Sequence, residues 1–164
     1  MTKQHPDSQV LDPRWSDLRQ YRDMPEIDFD RPYAYRIERL RAQMRQRGIG
    51  LTMLVNPVSM RYAAEYRTYA LFQSHIPTTY VFVPAEGPLV INAAYGATDV
   101  VKDVRPGRPL HYFDGGEDLT DLAAALAGDI CEFLAEIGDT TNRVAVEYVN
   151  PSITRALVDR GLAE

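Results

Sequence analysis

The residues of this chain whose types suit binding of a small charged molecule lie between positions 61 and 75. Arg61 and Arg67 carry guanidinium groups, which bind a carboxylate through paired hydrogen bonds. His75 lies between Ser74 and Pro77, and a loop histidine can shuttle a proton or donate a hydrogen bond to a ligand. For all three side chains the alternative is an ordinary solvated surface position.

The stretch 66–79 shows neither a helical nor a strand period and is the longest irregular part of the folded region. It contains Tyr66, Arg67, Tyr69, Phe72, His75 and Pro77. Irregular loops of this length in a compact domain are often functional. We therefore expect the function of the chain to involve residues 61–75.

Other chemistries lack the residue spacing that they require. None of His5, His75 and His111 belongs to a zinc-binding helix or finger pattern. The Gly-Ile-Gly run at residues 48–50 precedes a predicted strand, whereas a nucleotide-binding glycine loop follows a strand and opens a helix. The acidic residues at 114–118 fit a helix start better than a calcium loop. No catalytic, metal or nucleotide site is predicted in this chain.

The elements beside the 61–75 segment read as a strand, a short helix and a hairpin. Residues 51–55 are an apolar run typical of a buried strand, and the Asn-Pro pair after it can open a helix over residues 58–65. Two apolar runs, 80–83 and 89–92, are joined by a connection with proline and glycine. This pattern predicts an antiparallel hairpin.

Helices and strands alternate along the rest of the chain, which predicts an α/β fold. A first helix starts at Pro32, stops at Gly48 and has the apolar stripe Tyr33, Ile37, Leu40 and Met44. The strongest helix stops at Gly138 and has the stripe Leu119, Leu122, Ala123, Leu126, Ile130, Phe133, Leu134 and Ile137. A last helix opens at Pro151 and carries Ile153, Leu157 and Val158.

Three further segments have shorter patterns. Residues 143–148 predict a strand before the last helix. Residues 94–104 predict a helix that closes at a Pro-Gly pair, and residues 110–113 predict a short strand. Residues 1–30 form a polar arm with three prolines, so we expect the globular domain to span residues 31–164.

Composition restricts the class of protein. The 164 residues suffice for one core, and the net charge of −5 argues against nucleic acid binding. The chain has neither a secretory signal nor an apolar run long enough to span a membrane, and Cys131 is its single cysteine. A cytoplasmic location is therefore expected. Six arginines between residues 31 and 47 form a basic helix, either a solvated face or a docking face for an acidic neighbouring domain.

A family resemblance is carried by the order of several motifs. They are Tyr-Arg-Ile-Glu-Arg-Leu-Arg at residues 35–41, the strand at 48–55, Asn-Pro, Met-Arg-Tyr at 60–62, and Tyr-Val-Phe-Val-Pro at 80–84. This order resembles the amino-terminal domain of the creatinase, prolidase and aminopeptidase P group over residues 31–164. The resemblance implies a mixed central sheet flanked by helices, with ribonuclease H-like topology. Glu65 stands where the family usually has glycine, which can take backbone angles that glutamate avoids.

The resemblance implies an accessory role rather than catalysis by this chain. In the family a C-terminal pita-bread domain, absent here, holds two divalent metal ions through Asp, His and Glu ligands. The amino-terminal domain helps to form a homodimer, and its irregular loop closes over the partner's active site. The positions here that match this loop are Arg61, Tyr66, Arg67, Phe72 and His75. The parent enzyme would hydrolyse a C–N bond of a small substrate or of an Xaa-Pro peptide.

Three alternatives remain open. The long arm and the aromatic loop favour branches that act on small nitrogen or sulfonium compounds, such as creatinase or dimethylsulfoniopropionate lyase. A free-standing dimerisation or ligand-binding module would have a stop codon after Glu164, whereas a parent enzyme would have a reading frame that continues. The third alternative, that the chain is itself a metalloenzyme, is the least favoured because it lacks a ligand cluster.

Overall fold

The computed structural model of the protein describes residues 30–68, 78–93, 96–111 and 115–162. The strands are β1 (Leu51–Leu54), β2 (Tyr80–Pro84), β3 (Val90–Asn92), β4 (Asp103–Arg105) and β5 (Val144–Val146). The helices of the described ranges are α1 (Asp30–Arg47), α2 (Pro57–Ala64), α3 (Leu119–Glu136) and α4 (Pro151–Asp159), with a 3-10 turn at Gly116–Asp118. The strands form one sheet in the order β4-β3-β2-β1-β5.

The sheet is mixed because β2 runs against its two neighbours. β2 is antiparallel to β1 and β3, while β5 is parallel to β1 and β4 is parallel to β3. Met53 pairs with Phe82 across β1 and β2, and Val81 pairs with Ile91 across β2 and β3. The predicted hairpin is confirmed, and Gly87 takes the positive φ of +100° in its connection. The predicted mixed α/β sheet with flanking helices is confirmed as well.

The sheet divides the core into two apolar clusters, one on each face. Met53 and Phe82 point to one face and pack with buried residues of α3 and α4, and we name this group the α3/α4 cluster. Val81 and Ile91 point to the other face with buried residues of α1 and α2, which form the α1/α2 cluster. β1 and β2 are buried along their whole length, as expected for strands covered on both faces.

The helices predicted from Pro32, over residues 58–65, up to Gly138 and from Pro151 are confirmed. α1 buries Ile37 and Met44, and Gly48 follows its end with a φ of +64°. The apolar stripe of α3 faces the sheet, and Leu126 and Ile130 on it have no exposed surface. α4 buries Ile153 and Leu157 but leaves Val158 46% exposed, so this last valine lies on the outer face of the helix.

One prediction was wrong, and a second lies partly outside the described residues. The helix predicted over residues 94–104 does not form in the described part, where residues 96–102 are irregular and the chain continues into strand β4. Gly96 has a φ of +121°, and β-branched Val100, Val101 and Val104 favour extended backbone over helix. Leu110 is buried in the α3/α4 cluster without belonging to a strand, and residues 112–113 lie outside the described ranges. The predicted strand therefore lacks residues 110 and 111, and its remaining part is not described.

Candidate functional site

The start of α2 is fixed at the edge of the sheet where the parallel strands β1 and β5 end. The Asn56 side chain caps α2 by accepting a hydrogen bond from the Val58 N–H (2.8 Å), and Pro57 occupies the first turn. A carboxylate oxygen of Glu147 accepts hydrogen bonds from the backbone N–H groups of Val55 and Asn56, both at 2.9 Å. Glu147 directly follows β5, so one side chain holds the β1–α2 junction against the neighbouring strand.

α2 has one buried face and one exposed face. Met60 and Ala63 have no exposed surface and pack in the α1/α2 cluster. The outer face presents Val58 (76% exposed), Tyr62 (40% exposed) and the exposed Arg61. The Arg61 guanidinium has no hydrogen-bond or ion-pair partner among the described residues, so it is available to an anion from outside the domain.

Glu65 ends α2 in the left-handed conformation, with a φ of 54° and a ψ of 18°. Its N–H donates to the Arg61 carbonyl (3.1 Å), and its carboxylate accepts a hydrogen bond from Arg36 of α1 (2.8 Å). The Arg36 guanidinium also lies over the Tyr62 ring, 5.6 Å from the ring centroid. Glutamate therefore follows the backbone path that glycine favours, at a cost of roughly 1–2 kcal/mol. The ion pair with Arg36 offsets part of this cost.

The residues after Glu65 are held by a segment near residue 96. Tyr66 is 7% exposed and packs in the α1/α2 cluster. Gly96 lies against its ring so closely that an added Cβ would be 2.5 Å from Cε2 of Tyr66. The Thr98 hydroxyl donates a hydrogen bond to the Ala64 carbonyl (2.8 Å). The carboxyl end of α2 is thus anchored from α1 on one side and from residues 96–98 on the other.

The structure places three of the five predicted site residues on one short stretch. Arg61 and Arg67 are exposed, whereas Tyr66 is buried between them. Phe72 and His75 lie outside the described residues. Contact of these five side chains with a substrate remains a prediction.

Sequence reasoning missed the residues that position this stretch. Arg36, Gly96, Thr98 and Glu147 come from three separate parts of the chain, and each contacts α2, the β1–α2 junction or Tyr66. Only Glu147 carried a signal, because it is a charged residue directly after the apolar run Val144–Val146. The roles of the other three could not be predicted without the structure, because they depend on which elements pack together.

Most arginines of the basic helix α1 are engaged within the chain. Arg36 binds Glu65, Arg41 donates to the carbonyls of Pro84 (3.2 Å) and Gly87, and Arg45 pairs with Glu86 (3.0 Å) and with Glu38. These contacts tie α1 to α2 and to the β2–β3 connection. Arg39 is exposed and has no such partner among the described residues. Only part of the basic helix is therefore left to act as a solvated face or as a docking face for an acidic neighbouring domain.

The described part of the chain has neither a metal-binding cluster nor a membrane-spanning helix. No group of three or more His, Cys, Asp or Glu side chains there is arranged to hold a metal ion. Cys131 is half-buried and packs against the α3/α4 cluster. Helices in the described ranges are too short or too polar to cross a lipid bilayer.

Known proteins with similar sequences place the chain in a family. The sequence model of the creatinase/prolidase N-terminal domain matches residues 36–160. Dimethylsulfoniopropionate lyase DddP of Roseovarius nubinhibens is 29% identical over 140 residues, which cover 82% of this chain and 31% of that protein. The lyase of the same name from Roseobacter denitrificans is 26% identical over 145 residues, covering 85% and 32%. The chain thus spans about a third of the length of these curated relatives.

A solved structure is also similar to the chain. It is the creatinase/prolidase N-terminal domain of an X-Pro dipeptidase from Streptococcus pyogenes, with a TM-score of 0.45 and 14% sequence identity. The similarity covers 76% of this chain and 92% of that structure. Membership rests on the family match, which covers well over half of the chain. The chain belongs to the creatinase/prolidase N-terminal domain family.

Proposed function

We propose that the chain acts as the non-catalytic N-terminal domain of a larger enzyme, serving in dimerisation and in closure over the active site of the partner subunit. The family match over residues 36–160 carries this proposal. Two further observations support it. The described residues contain no metal-binding cluster, and the chain corresponds to about a third of each curated relative. In this proposal the catalytic domain of the larger enzyme would hold two divalent metal ions, and no residue of this chain is assigned to them.

The substrate we favour is a small zwitterion of the dimethylsulfoniopropionate type. Both curated relatives are named for this compound, which combines a sulfonium cation with a carboxylate. Arg61 and Arg67 would bind the carboxylate, because both guanidinium groups are exposed and without partners among the described residues. The aromatic ring of Phe72 would face the sulfonium, since ring faces attract cations. His75 would donate a hydrogen bond, and buried Tyr66 would hold the segment in place.

The second candidate is an N-terminal domain of an Xaa-Pro peptidase or creatinase-like hydrolase. The family itself is defined by creatinase and prolidase, which favours it. A peptide carboxylate suits the same two arginines, so the two candidates differ in substrate rather than in the proposed role of residues 61–75. A cytoplasmic location accompanies both, because a single cysteine provides no intrachain disulfide.

A chimera tests the proposal. Residues 31–164 would replace the matching N-terminal part of the Roseovarius nubinhibens lyase, and substrate loss would be followed by NMR of the sulfonium methyl groups. We expect a dimeric chimera that consumes dimethylsulfoniopropionate, while the 164-residue chain alone consumes none. A folded dimeric chimera that cleaves an Xaa-Pro dipeptide but not dimethylsulfoniopropionate would favour the second candidate. Turnover by the chain alone would contradict the non-catalytic role.

A further inference from the structure

A second region with binding chemistry lies between α1, the β2–β3 connection and the segment before β4. It is a cleft of about 510 Å³, which falls within the roughly 300–1,000 Å³ typical of small-molecule sites. None of the residues that line it is among the five assigned to the 61–75 segment. The inference drawn from this cleft therefore goes beyond the proposed function and does not depend on it.

The floor of the cleft is apolar. Ile37, Leu89 and Val101 line it, and their exposed fractions are only 7%, 7% and 3%. All three belong to the α1/α2 cluster, so the floor is part of the packed core and is rigid. Pro88 and Lys102, which are exposed, line the outer side. The cleft can therefore cover an apolar body while leaving one end of a ligand near solvent.

The polar groups of the cleft are mainly donors. The Lys102 ammonium donates one hydrogen bond to the Thr98 carbonyl (2.8 Å), which leaves two protons for other acceptors. Arg41 donates to the carbonyls of Pro84 and Gly87 and keeps its full positive charge. Burial raises the pKa of the Tyr33 phenol, with Arg41 opposing the shift, so this hydroxyl is a donor at neutral pH.

The one acidic side chain that lines the cleft is already engaged. Asp103 accepts a hydrogen bond from Arg105 at 2.8 Å, in a contact that also includes Glu136 of α3. Arg105 is shared between Asp103 and Glu136, so it compensates the charge of Asp103 only in part. Two cations and a phenol donor remain above the apolar floor, and this combination is complementary to an anion with an apolar tail.

We propose that this cleft binds a small amphiphilic carboxylate. The apolar part of the ligand lies on Ile37, Leu89 and Val101, and its carboxylate contacts Lys102 with support from the charge of Arg41. The polar contacts come from two cationic side chains, so the ligand class is an acid. An alcohol or an amine lacks the negative charge that these cations attract. Hexanoate is the simplest probe with both parts.

Binding of hexanoate to the 164-residue chain can be followed through backbone amide shifts in NMR. We expect saturable shifts at Leu89, Val101 and Lys102 with a Kd on the order of 1 mM, which suits a ligand of this size. Hexanol, hexylamine and acetate should bind at least about tenfold more weakly. Hexanol has no charge, hexylamine has the opposite charge, and acetate has no apolar tail. Equal binding of hexanol, or shifts confined to other parts of the chain, would overturn the proposal.

Variants locate the carboxylate contact. Lys102→Gln should weaken hexanoate binding about fivefold, whereas Lys102→Arg should restore most of it because the charge is kept. Arg39→Gln is the matched control, since Arg39 is an exposed arginine of α1 that does not line the cleft. Equal binding by the Lys102→Gln variant and the unchanged protein would contradict the assignment. Amide spectra of each variant report directly whether it is folded.

Discussion

At the scale of single residues, Glu65 is the position where this chain keeps a left-handed backbone conformation although the residue is not glycine. The sequence has glutamate at a position where the family resemblance implies glycine. It cannot show that the left-handed angle is kept, since the compensating partner, Arg36, lies 29 residues earlier on another helix. Side-chain pairing between distant elements thus decides how a locally unfavourable residue is tolerated.

Variants of Glu65 separate the backbone cost from the ion pair. Glu65→Ala loses the pair and keeps the strained angle, so we expect a loss of up to about 1 kcal/mol in the free energy of unfolding. Glu65→Gly loses the pair but relieves the angle, and should be about 1 kcal/mol more stable than Glu65→Ala. Urea unfolding measures both. Equal stability of the two variants would contradict a left-handed Glu65.

A methyl group at Gly96 tests the anchor of Tyr66. Gly96→Ala should destabilise the chain by at least about 2 kcal/mol, because the new Cβ would meet the Tyr66 ring at 2.5 Å and the φ of +121° disfavours alanine. Gly128→Ala is the matched control. Gly128 lies inside α3, and a Cβ added there would meet no atom within 4 Å beyond its chain neighbours and the nearby helix backbone. The change should therefore stabilise the chain by about 0.5–1 kcal/mol. Thermal unfolding of both compares them. Similar Tm values for the two variants would contradict the close contact between Gly96 and Tyr66.

At the scale of elements, periodicity predicted the long helices and the buried strands because each follows one face of the core. α1 and α3 have 18 residues each, enough for the helical period to be unambiguous. β4 has only three residues and is half-buried, so it offers no alternation to recognise. The junctions that position the candidate site were also beyond the sequence. They depend on side chains such as Glu147 that cross between elements.

Removal of the Glu147 carboxylate tests the β1–α2 junction. Glu147→Ala should lower the free energy of unfolding by about 1–2 kcal/mol, because the N–H groups of Val55 and Asn56 lose a charged acceptor. Tyr148→Ala, at the next residue and 72% exposed, should change it by less than about 0.5 kcal/mol. Urea unfolding of the two variants decides the matter. An unchanged free energy of unfolding in the Glu147→Ala variant would show that the Glu147 hydrogen bonds do not stabilise the start of α2.

At the scale of the whole molecule, alkaline stability should depend on Tyr80. Burial raises the pKa of Tyr80 to about 12, while the hydrogen bond from the Arg108 N–H opposes the rise. The folded state therefore holds this proton more tightly than the unfolded state, whose tyrosine titrates near 10. The resulting stability is fully present below about pH 10 and is lost as the pH rises toward 12.

Unfolding measured between pH 8 and pH 11 checks this dependence. Tyr80→Phe should reduce the fall in unfolding free energy above pH 10, although half-buried Tyr33, whose pKa is also raised, retains part of it. Tyr148→Phe should leave the fall unchanged, because Tyr148 is exposed. If Tyr80→Phe and the unchanged chain lose stability in parallel, Tyr80 does not control the alkaline limit.

The central claim for the whole molecule is that residues 61–75 act on a substrate held by another domain. Steady-state kinetics of the lyase chimera with Arg61→Ala or Arg67→Ala test it most directly, with Arg39→Ala as the control arginine. Loss of a charged hydrogen bond to the substrate carboxylate should raise KM about tenfold or more for at least one variant, and the control should match the unchanged chimera. Unchanged KM and kcat in both variants would contradict the claim.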